Sequence, residues 1–258
     1  MCVSGDDCRL TPLALDLRGG RVSLRGDESF LRAGMCGSLG GMSDIAGEVK
    51  PMNADFLGGP PGVFETVGRE QLAVLLEHGL SFESTVLDIG CGCLRGGRWI
   101  IPLLEPGHYC GIEPQMDMVR KGLERFLEPG MAELKRPRFE HNDRFDASSF
   151  GVKFTHFLAR SVWTHASKRQ IGAMLDTVRA HGTEDCVFLT SMRPARALRN
   201  EDYTGDAWVG RSHESEEGGM VRHSMAWVKK AASERGLRAA LIARRAVNGQ
   251  PWCLIRRV

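Results

Sequence analysis

The sequence predicts an α/β fold: a doubly wound, mostly parallel sheet of seven strands with an antiparallel hairpin at one edge. Three observations carry that prediction. Composition is that of an ordinary globular chain, with 42% hydrophobic and 26% charged residues in 258. From residue 63 onward, short apolar runs bounded by glycine alternate with stretches of helical periodicity. Such alternation implies parallel strands joined by right-handed crossovers. The last two apolar runs, 237–243 and 252–257, have Asn248-Gly249 and no helical pattern between them, so they form the hairpin.

Residues 1–60 stand apart. Glycine is frequent there (Gly19, Gly20, Gly34, Gly37, Gly40, Gly41, Gly47) and apolar periodicity is poor. The stretch runs into the breaker cluster Gly58-Gly59-Pro60-Pro61-Gly62. It reads as a loosely structured arm, either a disordered tail or a cap over a site. Residues 61–258 form the predicted domain. Val67, Leu72, Leu75 and Leu76 mark one helical face, ended by Gly79. Thr85-Val86-Leu87-Asp88-Ile89-Gly90 reads as a buried strand. A helix through Trp99, Ile100, Leu103 and Leu104 must start late or kink at Pro102, because proline inside a helix costs ~3 kcal/mol.

His108 to Glu113 is the second strand. Met116, Val119, Leu123, Phe126 and Leu127 form an amphipathic helix stopped by Pro129-Gly130. Residues 138–142, 154–159 and 186–190 are three further strands. Ser167-Lys168-Arg169-Gln170 has the form of a capping box and opens a helix with Ile171, Met174, Leu175 and Val178 inward. Trp227, Val228 and Ala231 suggest a late helix ended by Gly236.

Several classes are disfavoured. No apolar run approaches the ~18–20 residues that cross a bilayer. Asp6, Asp7 and Arg9 stand where a signal peptide needs an apolar stretch. Net charge is +2, from 34 basic and 32 acidic residues, which gives no electrostatic case for nucleic acid. Eight cysteines include no C-x-x-C pair, which argues against zinc and for a thiol-reduced, cytoplasmic setting.

Residues 86–114 (VLDIGCGCLRGGRWIIPLLEPGHYCGIEP) carry most of the functional information. A strand ends at Asp88-Ile89-Gly90, turns through Gly90 and Gly92, and runs into a helix near Gly96-Gly97. Such glycines let a ligand approach main-chain N–H groups, and the helix start favours an anionic group. Glu113 closes the next strand, where an acidic side chain can accept both hydroxyls of a ribose. Asp88 adds an acceptor suited to an amine. A nicotinamide site would want G-x-G-x-x-G, but Arg95 occupies the third glycine position. An aminoacyl-nucleoside with one ribose and no pyrophosphate fits better.

These motifs resemble the class I S-adenosylmethionine (SAM)-dependent methyltransferases. D-I-G-C-G is similar to that family's first motif, and G-I-E-P to its ribose-binding strand end. KFTHFLARSVWTHASKRQI resembles its fourth strand and following loop, and GQPWCLIRR its last strand. The resemblance covers residues 63–258 and implies a Rossmann-like fold, SAM as cofactor and methyl transfer. Carried over, Gly90, Cys91 and Gly92 line the methionine moiety. Asp88 faces its amino group, directly or through water. Glu113, with Pro114 beside it, holds the ribose. Asn142 and Asp143 contact adenine, and Ser161 approaches the methionine end. Two departures stand out: Phe154-Thr155 replaces the family's frequent Phe-Asp, and no Asn-Pro-Pro-Tyr loop follows the fourth strand.

Other readings compete at several of these positions. Asn142 and Asp143 are also ordinary turn formers. His165 is the candidate general base for a hydroxyl acceptor, against a helix-preceding histidine that bonds backbone. Trp163 is expected in the core. The span 200–219 is long and irregular, as lids often are, with Tyr203, Trp208 and His213 able to touch a substrate. His213, Glu214, Glu216, Glu217 and His223 could ligate a metal, but a solvated loop is the favoured reading and no metal is expected. Expected partners are a small-molecule acceptor, with neither nucleic acid nor membrane; a homodimer stays open. The rival functions are a SAM-binding protein that does not methylate, and a nicotinamide oxidoreductase, which Arg95 disfavours.

Overall fold

The computed structural model describes residues 61–196, 199, 201–244 and 247–258. The arm expected over residues 1–60 lies outside the described residues. Seven strands form one sheet: β1 (Val86–Ile89), β2 (Tyr109–Ile112), β3 (Arg138–Glu140), β4 (Phe154–Ala159), β5 (Gly182–Ser191), β6 (Leu237–Leu241) and β7 (Trp252–Arg257). Six α-helices are described: α1 (Phe64–Leu76), α2 (Gly97–Ile100), α3 (Met116–Arg125), α4 (Met131–Lys135), α5 (Lys168–His181) and α6 (Met225–Ser233).

The strand order is β3-β2-β1-β4-β5-β7-β6. The first five strands pair in parallel, whereas β7 runs antiparallel to both β5 and β6. This is the doubly wound, Rossmann-like sheet with an edge hairpin that the alternation predicts.

Neighbouring residues of a strand face opposite sides of the sheet, and two cores follow from that period. Val86, Leu158 and Leu189 pack with Val74 and Leu75 of α1, Ile100 of α2 and Val119 of α3. Leu87, Phe157 and Phe188 pack with Ile171 and Leu175 of α5 and Val228 of α6. Trp163 is fully buried in this second core, as expected.

Several elements differ from expectation: β5 starts at Gly182 and β6 ends at Leu241, where the apolar runs place 186 and 243. The helix expected through Leu104 stops at Ile100, before Pro102, and continues as a turn in which Leu103 and Leu104 N–H groups both donate to Ile100 O (3.1 and 3.3 Å). β3 stops at Glu140 because the Asn142 side chain folds the following loop. α4 was not foreseen: it buries none of its residues and so leaves no apolar period to read. Among the described residues, no helix is long and apolar enough to cross a membrane.

Candidate functional site

The order of the sheet reverses at β1, which lies between β2 and β4. In open α/β sheets, ligands occupy the crevice outside the strand ends at such a switch point. Here that crevice is a cavity of about 450 Å³, within the range of small-molecule sites.

Its floor is the turn after β1. Gly90 and Gly92 have φ of +70° and +55°. A Cβ at Gly90 would lie 2.7 Å from Val162 Cγ2, so only a hydrogen fits. The Gly90 and Cys91 N–H groups donate to Ile112 O at 2.8 and 3.3 Å, tying the turn to the end of β2. Cys91 lines the cavity, and burial holds its thiol protonated.

Glu113 stands one residue past β2. Its Oε2 accepts from Gly92 N–H and its Oε1 from Gln115 N–H, both at 3.0 Å. An ionised carboxylate has about four acceptor sites, so each oxygen keeps capacity for a ligand hydroxyl. Burial pushes its pKa up, opposed first by those two N–H bonds. Pro114 also lines the cavity.

Asp88 is 2% exposed and lies outside the cavity lining. Its Oδ2 accepts from Tyr109 Oη at 2.7 Å. Burial pushes its pKa from 3.8 up to about 7, against the Tyr109 bond and the Arg95 charge. A raised folded-state pKa favours the folded state while the group is protonated. That contribution is full below pH 3.8 and is lost as pH rises to about 7. Asp88→Asn keeps an acceptor for Tyr109 and removes the charge. Urea titrations should therefore show the variant gaining stability relative to wild type as pH rises from 4 to 7; a constant difference would contradict this.

The loop after β3 forms the next wall. Asn142 lines the cavity, but its side chain is spent locally. Its Oδ1 accepts from Arg144 and Asp146 N–H (3.2 and 3.0 Å), and its Nδ2 donates to Asp146 O (3.0 Å). The loop so shaped presents Asp143, and Phe145 in a left-handed conformation, to the cavity.

After β4, Ser161, Val162 and His165 line the cavity. His165 Nδ1 lies 2.8 Å from Val209 O. A carbonyl only accepts, so Nδ1 carries the proton and Nε2 keeps its lone pair. The imidazole stacks on Trp208, with centroids 5.5 Å apart and planes at 19°. Burial lowers its pKa below 6.5, against bonds to the Val209 and Gly219 carbonyls. His165 therefore bonds backbone and also lines the cavity.

Trp208 and His213 bring the connection between β5 and α6 to the cavity, as a lid would. Tyr203 does not join them; its hydroxyl donates to Ala207 O at 3.0 Å. His223 is fully buried, with Nε2 donating to Ala166 O at 2.9 Å. Asp143, His213 and Glu214 bring donor atoms within 4.8 Å of one another, all on exposed side chains. The sequence reading missed Arg160, which lines the cavity yet is 5% exposed. Its signal was a charged residue directly after an apolar strand.

Residues 87–188 match the family model described as a methyltransferase domain. No curated protein matches the chain. Solved structures share the fold. Magnesium protoporphyrin IX methyltransferase from Synechocystis PCC 6803 with bound SAM is 16% identical, with a TM-score of 0.54 over 76% of this chain and 80% of that one. SAM-bound CalS10, an amino pentose methyltransferase from Micromonospora echinaspora, is 15% identical, with a TM-score of 0.54 over 78% and 93%. DesVI from Streptomyces venezuelae is 14% identical, with a TM-score of 0.54 over 76% and 92%.

Proposed function

We propose that the chain is a SAM-dependent methyltransferase whose cavity moves the methyl group of SAM to a small-molecule acceptor. One observation carries the reading: a bare-backbone turn at Gly90 beside a carboxylate, Glu113, whose two oxygens are pinned by Gly92 and Gln115 N–H yet retain acceptor sites. That arrangement fits a nucleoside with a free ribose diol. SAM supplies a methyl group on a sulfonium, already activated for direct displacement.

The chain's own residues then bind and orient. Glu113 accepts from the ribose hydroxyls, and Pro114 packs beside it. Gly90, Cys91 and Gly92 leave room for the methionine end. Asn142 shapes the adenine wall on which Asp143 and Phe145 stand. Asp88, beneath the turn, acts through Tyr109 and the local charge. Holding two reactants in line contributes on the order of 7–11 kcal/mol. For a hydroxyl acceptor, His165 takes the proton at Nε2; an amine acceptor needs no such base. Buried free thiols at Cys91, Cys93, Cys110, Cys186 and Cys253 suit a reducing, cytoplasmic compartment.

Two measurements test these assignments. Hydrogen bonds to a charged group contribute about 1.5–3 kcal/mol each. Glu113→Ala should therefore weaken S-adenosylhomocysteine (SAH) binding, read by isothermal titration calorimetry, by roughly 10- to 100-fold; an unchanged Kd overturns the ribose assignment. With a hydroxyl acceptor, His165→Gln should lower kcat by about 10²–10⁴-fold with little change in SAH affinity. Because the His165 pKa lies below 6.5, wild-type kcat should fall only at pH below that value. A variant that keeps wild-type kcat would remove His165 from the chemistry.

A further inference from the structure

Behind the cavity wall lies a polar network buried among apolar side chains. Arg160 and Glu70 are each 5% exposed, Gln250 3% and Ser191 fully buried. Arg160 Nη2 donates to Glu70 Oε2 (3.3 Å) and Val247 O (3.1 Å). Its Nη1 donates to Ser191 Oγ (2.9 Å) and to Gln250 Oε1. Its guanidinium also lies 5.4 Å from the Trp252 ring centroid. One side chain thus ties together α1, the ends of β4 and β5, and the segment before β7.

Proton accounting in this network leads to Ser161. Ser191 Oγ accepts from Arg160 Nη1 and from Ser161 N–H (2.8 Å), and donates to Gln250 Oε1 (2.9 Å). Gln250 Oε1 therefore has two donors, which fixes the amide so that its Nε2 donates to Ser161 Oγ at 2.9 Å. The Thr164 hydroxyl donates to Ser161 O at 3.1 Å. Ser161's own hydroxyl proton is then left with Thr164 Oγ1, at 3.5 Å, as its nearest acceptor among the described residues. Ser161 lines the cavity in a left-handed conformation (φ +67°) that L side chains rarely adopt, and its N–H bond to Ser191 helps hold it there.

We propose that Arg160 and Gln250 are positioning residues that hold Ser161 as a hydrogen-bond donor to an oxygen at the amino-acid end of the bound nucleoside. This inference rests on the SAM reading above. It commits the network to ligand affinity as well as to folding, and it places Gln250 and Ser161 on one energetic path.

Calorimetric titration of SAH into wild type, Ser161→Ala, Gln250→Leu and the double variant tests it, with thermal melts confirming that each is folded. Each single change should weaken SAH about tenfold, the loss of one buried hydrogen bond. The double variant should be no more than threefold weaker than the weaker single, because Gln250 acts through Ser161. Arg160→Lys keeps a cation for Glu70 but cannot bridge Ser191 and Gln250 together, and should also lose about tenfold. The proposal is overturned if Gln250→Leu or Arg160→Lys binds SAH within threefold of wild type, or if the two single losses multiply in the double variant. A wild-type chain that takes no SAH overturns the SAM reading itself, an outcome distinct from intact binding without losses in the variants.

Discussion

Gly90→Val should remove SAM binding while leaving the chain folded. Gly90 has φ +70°, where an L residue pays roughly 1–2 kcal/mol and a β-branched one more. Its new Cβ would meet Val162 Cγ2 at 2.7 Å. Val162 can yield only by moving within the cavity wall, or the turn must move and carry the Gly92 N–H away from Glu113. Either response occupies space that the ligand needs. We expect SAH affinity to fall at least 100-fold. Thermal melting should fall by only about 5–10 °C, in line with roughly 2–3 kcal/mol in a domain of this size. An SAH Kd within threefold of wild type would refute the claim that the turn is a ligand cradle.

Arg160→Met should produce the largest loss of stability. The Arg160–Glu70 pair is 3% exposed on both sides, so losing the cation leaves a buried carboxylate offset only by the Val247 N–H and the Arg95 charge. Breaking such a pair costs about 3–5 kcal/mol, whereas replacing both partners costs much less. Urea denaturation should show that loss for Arg160→Met and substantial recovery in Arg160→Met/Glu70→Gln. If the double variant were no more stable than the single, the pair would not be the source of the effect.

The parts of the molecule legible in its sequence are those governed by local chemistry. The apolar run ending at Asp88-Ile89-Gly90 reads as a strand and a turn, because Gly90 and Gly92 take left-handed positions at no steric cost. The capping box at Ser167 and Gln170 forms with both reciprocal bonds, since its partners are three residues apart. Glu113 stands out because a strand end fixes where its side chain falls. The less legible features depend on distant partners. Arg160 meets Glu70 and Gln250, each 90 positions away in the chain, and no local pattern announces either contact. Asn142 matched both a turn former and a ligand contact; only the positions of Arg144 and Asp146 N–H show that its side chain is spent on the turn. Tyr203 and Trp208 looked equivalent as lid residues, and the path of the chain between β5 and α6 separates them.

A crystal structure of the protein grown with SAH tests the central claim most directly. The account predicts the nucleoside in the crevice beside Gly90, with both ribose hydroxyls on the Glu113 carboxylate. An empty crevice, or a nucleoside whose sugar is held by other groups, would contradict it.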